Sequence, residues 1–424
     1  MKKAVYSFLF IYFSARLALF FSGFYMSPDD GFYGGASADI SATSAARALE
    51  YYRWGYEFRI LSFINAAVFL FLCAKAFFTI PAVEPVLRNG YAELASGAAR
   101  FYTGFALAVL PYKFVLGYVR EKRFGFFNQG PGGWSVLYFK QFVLSLLVLI
   151  AVLAAAKFIV SFFRDKWHYA AALCVPAAGL AFTLLLQFAV LPAFYNTIPL
   201  ADAALKERLL SLANANFVHA REISVIDESS YSSHTNAFFT GFGPFRRIYL
   251  CDTLLSVHDH DEIEAIYAHE LGHYIYDHEL YGILLASLAS AAAFFLAASI
   301  FWRLGITHEA IAANFNRYSI FALILSQAAY FFIMPVENYI SRHFERAADD
   351  FAMDSVVRQG LANSLKPRDE IVKKAVAAHK GLFINLAEKN RSLASPDRFN
   401  YFFFATHPSI TERLRRAGRS ADAK

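Results

Sequence analysis

Long apolar runs alternate with polar stretches along this chain. Seven runs, 4–25, 60–80, 101–118, 142–163, 169–195, 280–302 and 318–336, approach the ~20 residues that a helix needs to cross a bilayer. Each predicts a membrane-spanning helix. Lys2 and Lys3 precede the first run and Ala36-Ser37-Ala38 follows it, as in a signal peptide. The run is longer than a signal core and contains Arg16, so it reads as a retained helix. Two stretches are polar enough to be soluble, 196–279 and 337–424. They flank the sixth and seventh runs, so two crossings return them to one side of the membrane, where both can build one site. The chain therefore divides into 1–195 (helices one to five), 196–279 (first part of a catalytic unit), 280–336 (helices six and seven) and 337–424 (its second part). Within the first polar stretch, 222–227 and 247–251 predict strands. Residues 261–278 predict one helix, capped by Asp259 or Asp261. Gly130-Pro131-Gly132-Gly133 predicts a loop.

Composition removes the competing classes. Of 424 residues, 57% are hydrophobic and only 17% charged, with 46 Phe and 24 Tyr. A disordered chain needs the opposite balance, and an ordinary soluble globule could not cover its surface with so few charges. The expected class is a mainly α, polytopic, multi-pass membrane protein with the lipid bilayer as a partner. The net charge of +6 does not call for nucleic acid. Sixteen Lys or Arg follow Glu337, and Arg120, Lys122, Arg123 and Lys140 fall in the third loop. Seven spans put both sets on one side, which the positive-inside rule makes cytoplasmic, against the weaker vote of Lys2 and Lys3. Cys73, Cys174 and Cys251 are too few and scattered for a disulfide framework. Of the lysines near apolar runs, Lys113 is expected to line a cavity, and Lys75 and Lys157 to snorkel.

The chemistry is concentrated in Ala268-His269-Glu270-Leu271-Gly272-His273. Positions i and i+4 share a helix face, so His269 and His273 can aim two imidazoles at one Zn²⁺. Glu270, one step round, can reach the water. This is the HExxH arrangement of zinc proteases. A catalytic zinc takes a third protein ligand and keeps one position open. Glu345 and Asp349, again i and i+4, continue from the seventh run on the same side of the membrane. Glu345 can be the third ligand, while Asp349 hydrogen-bonds a ligating histidine. His278, five residues past His273, lies off the ligand face and is expected at most to support it.

Taken together, the chain resembles the integral-membrane zinc metalloproteases of the CAAX prenyl protease type (type I prenyl endopeptidases and their bacterial relatives). The resemblance runs over nearly the whole length. Besides HExxH and Glu345-x-x-x-Asp349 it rests on Arg120 to Asn128, Tyr195 to Leu200, Ser233 to Gly243 with Arg247 to Leu255, and His407-Pro408-Ser409-Ile410-Thr411-Glu412-Arg413. Tyr274 and His343 depart from the family's usual Trp and Arg. The resemblance implies seven helices enclosing a water-filled chamber, a gluzincin-type site holding one Zn²⁺ per chain, and a small edge-strand element on the cytoplasmic side. It implies His269, His273 and Glu345 as ligands and Glu270 as the catalytic acid/base. Asn338, Asp349, His407 and Arg413 would stand around the site, with His407 or Arg413 steadying the oxyanion. Asn236 and Ala237 would line the substrate groove.

The expected function is a membrane-embedded zinc metalloendopeptidase acting on peptides or proteins, in a bacterial inner membrane or the endoplasmic reticulum. One version removes the C-terminal tripeptide of prenylated proteins. The other is a quality-control protease without prenyl specificity. A non-catalytic scaffold or transporter would be expected to have lost a ligand or Glu270, and all four residues are present. A structural zinc site would close its fourth position, for which no nearby Cys serves.

Overall fold

A computed structural model describes residues 40–54, 71, 90–219, 222–241, 243–396 and 398–419. The run at 4–25, and all of 60–80 except Phe71, lie outside these. Lys75 does too. The described chain is mainly helical with one small sheet. Three of its helices are long and apolar enough to cross a membrane: Tyr91–Arg123, Pro131–Phe194 and His278–Arg303. The second contains two of the expected runs. A tight turn at Arg164–Lys166, with Arg164 at φ 53°, folds it back so that Pro131–Phe163 packs on Trp167–Leu185. The loop expected at 130–133 is instead a helix start. Pro131 occupies the first helical turn, where its missing N–H costs nothing and its fixed φ already fits. The run at 318–336 lies inside the helix Phe315–Asn363, which continues unbroken past it.

The snorkelling expected of Lys157 is not what the packing gives. Lys113 is exposed, whereas Lys157 is buried with its Nζ 5.4 Å from the centre of the Tyr91 ring. Lys157 sits where Pro131–Phe163 packs against Tyr91–Phe114, so its ammonium rests on an aromatic face.

Four strands form the sheet: β1 (Thr197–Pro199), β2 (Ser224–Ile226), β3 (Ala237–Thr240) and β4 (Arg247–Cys251), in the order β1-β2-β4-β3. β2 and β4 run parallel, and β3 pairs antiparallel with β4 from Ala237↔Leu250 to Thr240↔Arg247. β3 is therefore an edge. Val225, Ile226, Ile248, Tyr249, Leu250 and Cys251 are buried, which makes β2 and β4 the centre of the sheet.

The sheet packs on the helix that carries HExxH. That helix spans His260–Ile275, and Asp259 caps it by accepting from the Asp261 and Glu262 N–H groups. Its residues from Glu262 to Gly272 are all buried. A helix covered on every side is a core helix, and here Ala203–Ala215, Arg368–Lys389, Phe315–Asn363 and the sheet do the covering. Small residues allow the closest of these contacts. Ala265, Ala268, Ala348 and Ala352 are 0–1% exposed. A Cβ on Gly272 would stand 3.1 Å from the Ala348 Cα. The expectation of one helix over 261–278 is corrected at its end. The helix stops at Ile275, Asp277 turns the chain with φ 54°, and His278 begins the next helix.

Candidate metal and active site

The close crossing of His260–Ile275 and Phe315–Asn363 brings residues some seventy positions apart into one cluster. The His269 and His273 Nε2 atoms are 3.1 Å apart. Each is within reach of the Glu345 carboxylate, at 3.3 Å and 3.4 Å. Their ligand atoms form the one potential metal cluster among the described residues. Ligand atoms held ~2.0–2.1 Å from a tetrahedral zinc stand about 3.3–3.4 Å from each other, so these separations fit the ion. Glu345 Oε2 is buried and meets no donor besides the His269 imidazole, as expected of an atom that faces a cation.

The electrostatics ask for that cation. Glu270, Glu345 and Asp349 are three buried carboxylates facing one permanent positive charge, Arg413. Burial pushes the Glu270 carboxyl up. Burial would also raise Glu345, but hydrogen bonds with His269 and His273 outweigh it and hold the carboxyl well below its usual range. Burial alone would lower His269, but its hydrogen bonds with Asp349 and Glu345 overcome that effect, and the imidazole is pushed up to about 10.

Each histidine is oriented through its other ring nitrogen. Asp349 Oδ1 lies 2.9 Å from His269 Nδ1. Arg413 grips the same carboxylate with Nε to Oδ2 at 2.9 Å and a terminal nitrogen to Oδ1 at 2.5 Å. This two-pronged pair fixes Asp349 in place, while Arg413 itself also lines the cavity. His278 Nδ1 lies 2.8 Å from His273 Nδ1, and its ring stacks on Phe344 at 4.4 Å. Its place off the ligand face follows from i+5 spacing only if the helix continues. The break at Asp277 swings it back.

Residues 337–424 complete the wall. Asn338 lies one to two turns before Glu345 and does not touch the cluster. Its side chain donates to the Phe403 carbonyl at 2.5 Å. Arg342 donates to the Tyr401 carbonyl at 3.0 Å and to that of Ala405 at 2.5 Å. Together they tie down the segment leading to His407, whose Nε2 is 3.3 Å from Glu345 Oε1. The His407 side chain is 60% exposed at the cavity mouth, and Thr406 Oγ1 meets its Nδ1 at 2.8 Å.

The cavity has a volume of about 820 Å³. Asn236, Ala237, Phe238 and Phe239 form one wall, and Leu382 and Phe383 another. β3 presents its unpaired edge there, the geometry for adding a peptide as an extra strand. Two lining residues carry no sequence signal. Asn390 accepts from the Thr235 N–H and donates to the Thr235 carbonyl, both at 3.0 Å. Glu279 accepts from the Gly241 N–H at 2.9 Å. Neither belongs to a short motif, and both act across gaps in sequence that only the fold closes.

Similarity to known proteins agrees with this site. The family model "Peptidase family M48" matches residues 199–420. An uncharacterized metalloprotease, YhfN of Bacillus subtilis, is 26% identical over 323 residues, covering 75% of this chain and 71% of the relative. A CAAX prenyl protease 1 homolog of Arabidopsis thaliana is 27% identical over 378 residues, covering 86% and 84%. CAAX prenyl protease 1 of Saccharomyces cerevisiae is 28% identical over 339 residues, covering 73% and 68%. In fold, the chain matches the crystal structure of S. mikatae Ste24p with a TM-score of 0.76 at 22% identity, over 98% of both chains. The family match spans more than half of the chain and contains the whole His-His-Glu cluster, so the protein belongs to peptidase family M48 and is a membrane metalloprotease.

Proposed function

We propose that the protein is a zinc-dependent endopeptidase that cuts an extended peptide laid along β3. The observation that carries this reading is the set of 3.1–3.4 Å separations among His269, His273 and Glu345, next to the buried carboxyl of Glu270. When bound, the ion would polarise the attacking water and the scissile carbonyl. Glu270 takes the water's proton and later delivers it to the leaving amine. Burial helps it in the first half, because a carboxylate whose pKa is raised is a stronger base toward the water's proton. His407, near Glu345 at the open mouth, donates to the developing oxyanion. Arg413 fixes Asp349, which fixes His269, and His278 plays the corresponding part for His273. Asn236 and Ala237 hold the peptide backbone.

The substrate class we favour is the C-terminus of a prenylated protein, processed by removal of its last residues. The sequence resemblance supports this, as do the printed names of relatives from Arabidopsis and Saccharomyces. The membrane reading extends to seven spans around a chamber, with the catalytic stretches and the C-terminus cytoplasmic, as the Lys and Arg distribution supports.

The test is metal analysis and peptide cleavage by the detergent-purified chain beside Glu270→Gln. Both forms should hold about one zinc, with activity in the variant reduced ~10²–10⁴-fold. Zinc-loaded wild type that cleaves neither farnesylated nor plain peptides would refute the peptidase assignment. Equal cleavage of the two would refute prenyl specificity and favour the quality-control role.

A further inference from the structure

Both ends of the substrate-lining strand are held by side chains from outside the sheet. At its start, His234 Nε2 meets Glu121 Oε2 at 3.0 Å, and the His234 ring stacks on Phe126 at 3.8 Å. Glu121 is itself held by Tyr51 at 2.7 Å and by Arg120. At its end, Glu279 Oε2 accepts from Gly241 while its Oε1 accepts from Thr183 at 2.9 Å. Gln187 donates to the Phe245 carbonyl, the next turn of the same loop, at 2.7 Å. Gly241 has φ 105°, and a Cβ there would lie 2.5 Å from the Phe245 carbonyl oxygen, so only glycine fits under this clasp.

The anchors share an origin. Glu121 ends the Tyr91–Arg123 helix, Thr183 and Gln187 belong to Pro131–Phe194, and Glu279 opens His278–Arg303. Each of the three candidate membrane helices among the described residues therefore sends a polar group to one end of β3. Thr183 and Gln187 lie within an apolar helix, where polar side chains are costly and are kept for partners that need them. Two π-helical turns mark the same places. Val115–Arg120 leads into Glu121, and Leu186–Val190 contains Gln187. Such turns occur mostly where function demands an irregular helix.

We infer that Glu121 and Glu279 are positioning residues for peptide binding: they string β3 between the membrane helices and so set its distance from the metal cluster. The edge is bonded to β4 on one side only, and although Asn390 also holds Thr235, each clasp removed leaves its end of the strand less firmly in the register a bound peptide needs. Neither carboxylate touches the ligand cluster, which separates this role from catalysis.

This inference rests on the peptidase reading, and kinetics of the zinc-loaded full chain separate the two. Wild type cleaving a peptide that extends on both sides of the scissile bond establishes the reading. Glu121→Ala and Glu279→Ala should then each raise KM about tenfold, the scale of one lost charge-assisted hydrogen bond, with kcat within about twofold. Glu279→Gln should recover most of the loss, because its amide oxygen still accepts from Gly241. Zinc content should stay at about one in all variants. Each variant's penalty should vanish when the peptide is shortened on the side of its own clasp. Unchanged KM, a fall in kcat alone, loss of zinc, or an equal penalty for every peptide length would each overturn the inference.

Discussion

Gly272 sits where the HExxH helix crosses the helix bearing Glu345, and replacing it tests whether that approach makes the metal site. In Gly272→Ala the new Cβ would stand 3.1 Å from the Ala348 Cα and 3.1 Å from Phe351 Cδ1. Ordinary carbon contacts are ~3.5–4.0 Å, so the helices must part by about 0.4 Å or more. The Phe351 ring can turn aside, but the Ala348 Cα is backbone and cannot. His269 is one turn before Gly272, and Glu345 is one turn before Ala348. The parting therefore carries through to the ligand atoms, and metal bonds tolerate only about 0.2 Å. Zinc affinity should fall roughly 10–100-fold, the range seen when ligand placement is disturbed. Global stability should change less, because the ~1 kcal/mol gained in helix propensity offsets part of the ~1–3 kcal/mol overpacking cost. Zinc affinity is read by chelator competition and stability by thermal melting. Gly282→Ala is the control, since nothing lies within 4 Å of its Cβ position. Gly272→Ala binding zinc as tightly as Gly282→Ala would refute the claim that close packing places Glu345.

Three further outcomes follow from the same geometry. Arg413→Ala leaves the buried Asp349 carboxylate without its cation and should cost ~3–5 kcal/mol of stability, whereas Asp349→Asn combined with Arg413→Gln should recover part of it; thermal melts of the two variants decide. In the metal-free protein burial would raise Asp349, but the Arg413 charge outweighs it and holds the carboxyl at about 2. A lowered carboxyl adds stability above its unfolded pKa near ~4 and loses it as pH falls toward the folded value, so acid unfolding should be shallower in Arg413→Gln than in wild type. His407→Gln should keep zinc while lowering kcat ~10²–10³-fold, and an unchanged kcat would remove His407 from the oxyanion role.

Much of the site is legible in the order of residues, and the exceptions share a cause. The His269/His273 pair can be read from sequence because i and i+4 geometry is local to one helix. The pairing of Asp349 with a ligating histidine can be read for the same reason once Glu345 is placed. Asn338 has the spacing of a site residue, yet it acts at a distance by holding the Phe403 carbonyl. Arg413 has the charge of an oxyanion donor, and the fold gives it a further task, gripping Asp349 through two of its nitrogens. His278 falls off the ligand face only on a continuous helix, and the turn at Asp277 changes its direction. Lys157 is buried rather than snorkelling because an apolar run does not reveal which of its faces meets a neighbouring helix.

The order of amino acids is enough to set the apolar runs, the polar stretches between them, and the arrangement of ligands along each helix. Those properties depend on composition and on the fixed rise and turn of a helix. Packing in three dimensions settles the rest: how close the two ligand-bearing helices come, what each second nitrogen and guanidinium is bonded to, and that apolar helices reach the ends of β3. Those contacts join segments tens to hundreds of residues apart, where a single glycine or a left-handed turn sets distances that no local period encodes.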